Sequence, residues 1–192
     1  MKKSNKTIIS EIKYLFFKNG GDAYFGEKVS QFEHAAQSLM LAISDEESLE
    51  MQVAAFLHDI GHLLDIGQEN AMEVYGRENH EGVAKAWLKE RGFSERIQAV
   101  VENHVSAKRY LCYKNTDYFE GLSDASKKTM TFQGGIMSET EAFAFETEPY
   151  FEESIKLRHW DDKAKVSNIE LPALNDCLEV IDKYLERKRE EF

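Results

Sequence analysis

The stretch AAFLHDIGHLLD, residues 54–65, sets His58 and Asp59 side by side in an otherwise apolar run. An ionised carboxylate buried there needs a partner, because a desolvated charge left alone is costly. Two arrangements would supply one. The first is a core histidine hydrogen-bonded to its neighbour; the second is a divalent metal, for which neutral imidazole and carboxylate are ordinary ligands. Four other positions favour the metal. His34 lies in SQFEHAAQSLMLA, His80 follows Asn79, His104 sits late in a further periodic stretch, and Asp161 follows His159 and Trp160. The chain has only six histidines, and His34, His58, His80 and His104 fall on four separate predicted helices. Helical proteins build metal centres from inward-facing ligands on several helices. So many protein ligands suggest two ions, with Asp59 bridging them.

The elements that must hold these residues are helical throughout. Apolar periodicity and end signals predict helices over roughly 6–18, 28–44, 46–64, 79–91, 94–111, 123–132, 139–147, 149–163 and 172–190. The fold class expected is all-α, a helical bundle. Ser44 with Glu47 and Ser138 with Glu141 have the spacing of a capping box, and Pro172 suits the first turn of the last helix. Gly20-Gly21, Gly67, Gly92 and Gly134-Gly135 read as turns, and Gly61 falls where a side chain would crowd the metal motif. Residues 112–124 are the least periodic and read as a loop over the core. With 24 basic and 35 acidic residues the net charge is −11, which argues against nucleic acid and against a membrane surface. No apolar run approaches a bilayer span, and the start MKKSNKTIISEIKYLFF lacks a small-residue cleavage site. A cytoplasmic protein is expected. Cys112 and Cys177 have no CxxC companion, so neither a disulfide framework nor a thiolate zinc site is indicated.

Residues flanking the ligands bear on the substrate. Lys108 is one helical turn from His104 and His62 one turn from His58, so both would project toward the ligands' side. Arg158 precedes Asp161 by three residues and shares its face. A lysine and an arginine beside metals imply an anionic head group, held by Arg158 in bidentate fashion and by Lys108 as a point charge. Phosphonate or phosphate fits best, although the commoner fate of such residues is a solvated helix face. Glu27, Gln31 and His34 would share one face if the second helix begins early enough, which brings Tyr24 and Glu27 to the mouth of the site. Ligand types alone separate neither metal-hydroxide hydrolysis from dioxygen chemistry nor iron from manganese or zinc.

The order His, His-Asp, His, His, Asp resembles that of the HD superfamily of metal-dependent enzymes over nearly the whole chain. The stretches YFGEKVSQFEHA, HDIGHL, YGRENHEG, NHVSAKRYL, YFEGLSDASKKTM, FQGG and SIKLRHWDDKAK resemble one branch, the mixed-valent diiron oxygenases of phosphonate catabolism. AKRYL and LRHWD are far more specific than the His-Asp pair. The resemblance implies one HD domain over residues 1–192 and two irons, Fe(II) and Fe(III). His34, His58 and Asp161 would complete one ion and His80 with His104 the other, with dioxygen as cosubstrate. It implies cleavage of the C–P bond of a small organophosphonate, 2-amino-1-hydroxyethylphosphonate, to glycine and phosphate. Lys108, Arg158, Ser126 and His62 would hold the phosphonate, and Gln133 is a further candidate from FQGG. Tyr24 would cap the oxygen-binding iron until substrate arrives, and Glu27 would pair with the substrate's ammonium group. A related branch takes an N-trimethylated substrate. The rival reading is an HD phosphohydrolase acting on a nucleotide or other phosphate ester; a degenerate scaffold that only binds is disfavoured by the complete ligand set.

Overall fold

The computed structural model describes residues 3–24, 26–64 and 79–190, and among these it is all-α, with eleven helices and no strand beyond an isolated bridge between Ala23 and Ser30. They are α1 (Asn5–Asn19), α2 (Gln31–Ser44), α3 (Leu49–Leu57), α4 (Ile60–Leu63), α5 (His80–Glu90), α6 (Glu95–Lys114), α7 (Thr116–Gly121), α8 (Asp124–Phe132), α9 (Glu139–Glu146), α10 (Phe151–Lys163) and α11 (Leu174–Glu190). No helix among the described residues is long and apolar enough to cross a membrane.

The long helix α6 is the spine of the fold, with α3, α5, α7, α9 and α10 packed against it. Buried apolar residues from both sides form one core, with Ile12, Leu39, Phe56, Leu88, Ile97, Leu157 and Ile181 fully enclosed. Burying side chains of this size is the main favourable term in folding. Helix α11 closes the core against α1 and α3 through Leu178, Ile181 and Leu185, the face its sequence period predicts. Smaller clusters sit under α9, around Tyr110, Ala142 and Phe145, and under α7 and α8, around Cys112, Leu122 and Met130.

Several elements differ from the sequence expectation. The helix predicted over 46–64 breaks at His58 and Asp59 into α3 and α4, with Asp59 at φ −100° and ψ 13°. The break turns the charged pair out of a continuous helix and toward α6. The expected Ser44–Glu47 capping box is absent: Ser44 ends α2, and Ser48 caps α3 by accepting from the Met51 amide. The box at Ser138 and Glu141 is present, and a second one at Ser30 and Glu33 starts α2. That start, at Gln31 and not at 28, leaves Tyr24 and Glu27 on the turn before the helix, tied by backbone bonds from Tyr24 to Val29 and from Glu27 to Tyr24. The expected loop over 112–124 is largely helical. Helix α6 runs on to Lys114, and Asn115 then caps α7 by accepting from the Asp117 and Tyr118 amides. Pro172 lies just ahead of α11. Gly67 lies outside the described residues.

Candidate metal centre

Four helices and one helix break bring the expected ligands together. His34 is one turn into α2, His58 and Asp59 sit at the α3–α4 break, His80 begins α5, His104 lies midway along α6 and Asp161 near the end of α10. All six are buried. The Nε2 atoms of His34 and His58 are 3.1 Å apart, and lie 3.6 and 3.3 Å from Asp59 Oδ2. His34 Nε2 is also 3.4 Å from Asp161 Oδ1. On the other side, the Nε2 atoms of His80 and His104 are 3.1 Å apart and lie 3.2 and 3.5 Å from Asp59 Oδ1. Each oxygen of one carboxylate thus faces its own pair of imidazole nitrogens.

The hydrogen bonds fix how these rings are protonated. His34 Nδ1 donates to the Ala164 carbonyl at 2.8 Å, His58 Nδ1 to Ala55 at 2.8 Å and His104 Nδ1 to Val101 at 2.7 Å. A carbonyl only accepts, so each Nδ1 carries the hydrogen and it is Nε2 that is left to face the centre, as a lone pair whenever the ring is neutral. Lone pairs 3.1 Å apart, beside carboxylate oxygens, repel unless a cation lies among them. Both Asp59 oxygens and Asp161 Oδ1 are buried and accept no hydrogen bond among the described residues. Such orphaned acceptors, facing lone pairs, are the donor set of a metal. The ligand atoms of His34, His58 and Asp59 lie within 4.8 Å of one another, as do those of Asp59, His62 and His80. His62, expected to hold an anion, is therefore also within reach of an ion; its ring stacks on His80 at 4.0 Å.

Electrostatics at the cluster is set by burial against carboxylate charge. Burial lowers the His34 imidazole to about 4, even beside Asp161. It pushes His58 down too, but the negative charges of Asp59 and then Asp161 outweigh it and lift that ring to about 9. A proton on His58 and a metal at the same Nε2 compete. Burial disfavours the charged form of Asp161, yet Arg158, Lys165 and His34 hold its carboxyl well below the usual range.

A cavity of about 40 Å³ opens on the cluster, lined by Asp59, His80, His104 and Asp161 together with Tyr24, Glu27, His62, Lys108, Ser126, Gln133 and Arg158. Every expected substrate-side residue therefore faces it. Lys108 donates to Thr129 Oγ1 at 3.1 Å and to Gln133 Oε1 at 2.6 Å. Burial, helped by the nearby Arg158 charge, lowers its ammonium to about 7. Arg158 departs from the expected open clamp. Its guanidinium donates to Asp161 at 2.6 Å, to Asp162 and, at 3.1 Å, to the Tyr118 hydroxyl, so its fork is already matched to protein carboxylates. The Tyr24 ring stacks on His34 at 3.9 Å and 18°. Burial, then the Asp161 and Asp59 charges, hold its hydroxyl well above the ordinary range and hence protonated. Glu27 accepts from the Ser123 hydroxyl at 2.6 Å.

Sequence reasoning missed Thr129, Ser123, Tyr118 and Lys165. Thr129 lies three residues past Ser126 in α8, so the same turn spacing that picked out Lys108 pointed to it. Lys165 lies past the end of α10, where helical spacing no longer argues for a shared face. Ser123 and Tyr118 belong to the stretch read as a loop.

The site and fold define an all-α protein with a His/Asp cluster built to hold metal. Residues 31–162 match the HD domain family, and the chain belongs to it. The chain is 36% identical, over 95% of its own length and 92% of the relative's, to a hydroxymethylphosphonate dioxygenase of Gimesia maris. It is 35% identical, over 86% and 84%, to the glycine-betaine-forming [1-hydroxy-2-(trimethylamino)ethyl]phosphonate dioxygenase of Leisingera caerulea. An uncharacterized protein of Acanthamoeba polyphaga mimivirus is 39% identical over 92% and 81%.

Proposed function

We propose that the chain, acting as one HD domain, is a diiron oxygenase that uses dioxygen to cleave the C–P bond of 2-amino-1-hydroxyethylphosphonate, giving glycine and phosphate. The observation that carries this reading is the pair of imidazole pairs, one on each oxygen of Asp59. His34, His58 and Asp161 would hold one iron and His80 with His104 the other, with Asp59 available to both. Support for the substrate class comes from the two relatives named as dioxygenases of hydroxyphosphonates. Bound there, the Fe(II)/Fe(III) pair supplies dioxygen activation and the oxidation at C1. Substrate plus one dioxygen equals glycine plus phosphate, so atoms and electrons balance without an external reductant.

The remaining roles fall to the chain's own side chains. Lys108 holds a phosphonate oxygen, with Thr129 and Gln133 keeping its ammonium aimed at the cavity. An arriving dianion favours the charged lysine and so raises its depressed pKa. Ser126 and His62 contribute further contacts to the head group. Arg158 acts through Asp161, holding that carboxylate ionised and oriented. Tyr24 covers the His34 side until the amine end of the substrate engages Glu27.

The test is aerobic reconstitution with ferrous iron and ascorbate, then addition of 2-amino-1-hydroxyethylphosphonate. Oxygen uptake with matching release of glycine and phosphate is expected. Hydrolysis of a phosphate ester with no oxygen uptake would replace this reading with a phosphohydrolase.

A further inference from the structure

One charged group in the cavity has no part in the proposed chemistry. Lys165 lies two residues beyond the end of α10, with its side chain only 12% exposed. Its ammonium donates to Ser126 Oγ at 3.1 Å, sits 3.7 Å from Glu27 Oε1 and 3.8 Å from Asp161 Oδ1, and lies 5.9 Å over the Tyr24 ring. The same residue walls off a second cavity of about 230 Å³, lined by Tyr118, Ser123, His159 and Asp162. Lys165 is thus the partition at the amine end of the site.

These distances describe a cation shared among a hydroxyl and two carboxylates, of which Asp161 is already paired with Arg158. The hydrogen bond to Ser126 is at normal length, whereas the separation from Glu27 is that of an ion pair without a close hydrogen bond. Glu27 is otherwise held by the Ser123 hydroxyl. Among the described residues, Lys165 is the one cation within ion-pair distance of its charge, near enough to balance it but not locked onto it. We propose that Lys165 is a specificity-determining residue: it balances Glu27 while the amine end is vacant, and a substrate ammonium takes that place and leaves Lys165 to the head group through Ser126. This inference rests on the phosphonate reading of the same site. An ammonium-bearing substrate then meets a carboxylate on one side and an added cation on the other. A substrate lacking nitrogen leaves Lys165 on Glu27.

The consequence concerns a ratio of affinities. With Lys165 replaced by Met, Glu27 is an unbalanced, half-buried charge. It repels a phosphonate that carries no cation and attracts one that does. The probes are 2-amino-1-hydroxyethylphosphonate and 1-hydroxypropylphosphonate, which has a methyl group where the first has its ammonium. Binding of each to the iron-loaded protein is measured by anaerobic calorimetry, with iron content as a control. Lys165→Met is expected to shift the affinity ratio toward the ammonium compound by about tenfold or more, the size of one desolvated charge contact. Glu27→Gln in the same chain abolishes the shift, and Lys165→Arg leaves the wild-type ratio within about twofold because a cation remains. Should Lys165→Met fail to load iron, Lys165→Gln carries the same expectation. A ratio unmoved by Lys165→Met, or a shift that survives Glu27→Gln, overturns the inference alone. If the wild-type protein binds neither compound, the phosphonate reading falls, and the inference falls with it.

Discussion

The two sides of Asp59 are built differently. On the Oδ2 side, His34 and His58 donate to backbone carbonyls of the packed interior, and Asp161 adds a second carboxylate held by Arg158. Neither His34 nor His58 lines the cavity, and Tyr24 lies flat over His34. On the Oδ1 side, His80 and His104 both line the cavity, with His62 stacked on His80 and Lys108 one turn beyond His104. One side keeps its imidazoles back from the cavity and is rich in carboxylate; the other puts both of its imidazoles on the cavity beside Lys108. The contrast teaches where a ligand can arrive: an anionic head group meets the Oδ1 imidazoles directly, whereas of the cluster residues on the Oδ2 side Asp161 alone lines the cavity and Tyr24 covers His34.

Asp59→Ala should erase the contrast altogether, because both sides share that carboxylate. Loss of both metals by elemental analysis and a fall in activity of at least about a thousandfold are expected. His58→Ala and His104→Ala, by comparison, should each lose the metal on their own side first, and equal loss of both metals from either variant would show that the sides are not separate. Next in size is the effect of pH on loading. His58 is lifted to about 9 by its carboxylate neighbours, so below that pH a proton must leave before a metal binds, and apparent affinity should fall by up to about tenfold per unit as pH is lowered. Chelator competition between about pH 6 and 8 measures this, and a flat profile would place no proton on that nitrogen.

Lys108→Ala probes the Oδ1 side alone. Substrate affinity should weaken about tenfold or more, with both metals retained; metal loss would mean the lysine serves the cluster and not the ligand. In the wild-type protein Lys108 is lowered to about 7. It is charged below that pH and neutral above it, so affinity for the anion should decline as pH rises through this value, and Lys108→Ala should flatten that decline. The smallest effect is expected for Tyr24→Phe, which keeps the ring on His34 and removes only the hydroxyl. Turnover should change less than about fivefold, while oxygen uptake without substrate should rise, as an oxygen electrode would record.

The His/Asp cluster was legible in the sequence because buried charge is rare enough to be conspicuous. His58-Asp59 stood out against an apolar run, and four histidines on four predicted helices could meet only inside a bundle. Helix identities were legible for the same reason, since the inward stripes of α2, α5, α6 and α11 recur at helical period. What escaped was local. The break at Asp59 depends on where a carboxylate must point, which is set by α6, more than 30 residues away in the chain. The Ser30 capping box has the same Ser-x-x-Glu spacing as the one at Ser138, but a helix start placed at 28 put Ser30 inside the helix, where that signature has no meaning. Helix α7 buries none of its residues, so it has no apolar stripe to read. Arg158 could be placed beside Asp161, but spacing alone could not tell that Asp161, Asp162 and Tyr118 had already taken its donors.

The end of α10 fixes three things in five residues: Asp161 faces the cluster, the Ala164 carbonyl orients His34, and Lys165 enters the cavity. Because each added helical residue rotates the chain beyond it by about 100°, a one-residue insertion or deletion just after Asp161 would leave that carboxylate in place and misdirect the Ala164 carbonyl and Lys165 together. Length variation among natural relatives and in engineered libraries should therefore avoid this turn and collect in segments such as the stretch between α10 and α11.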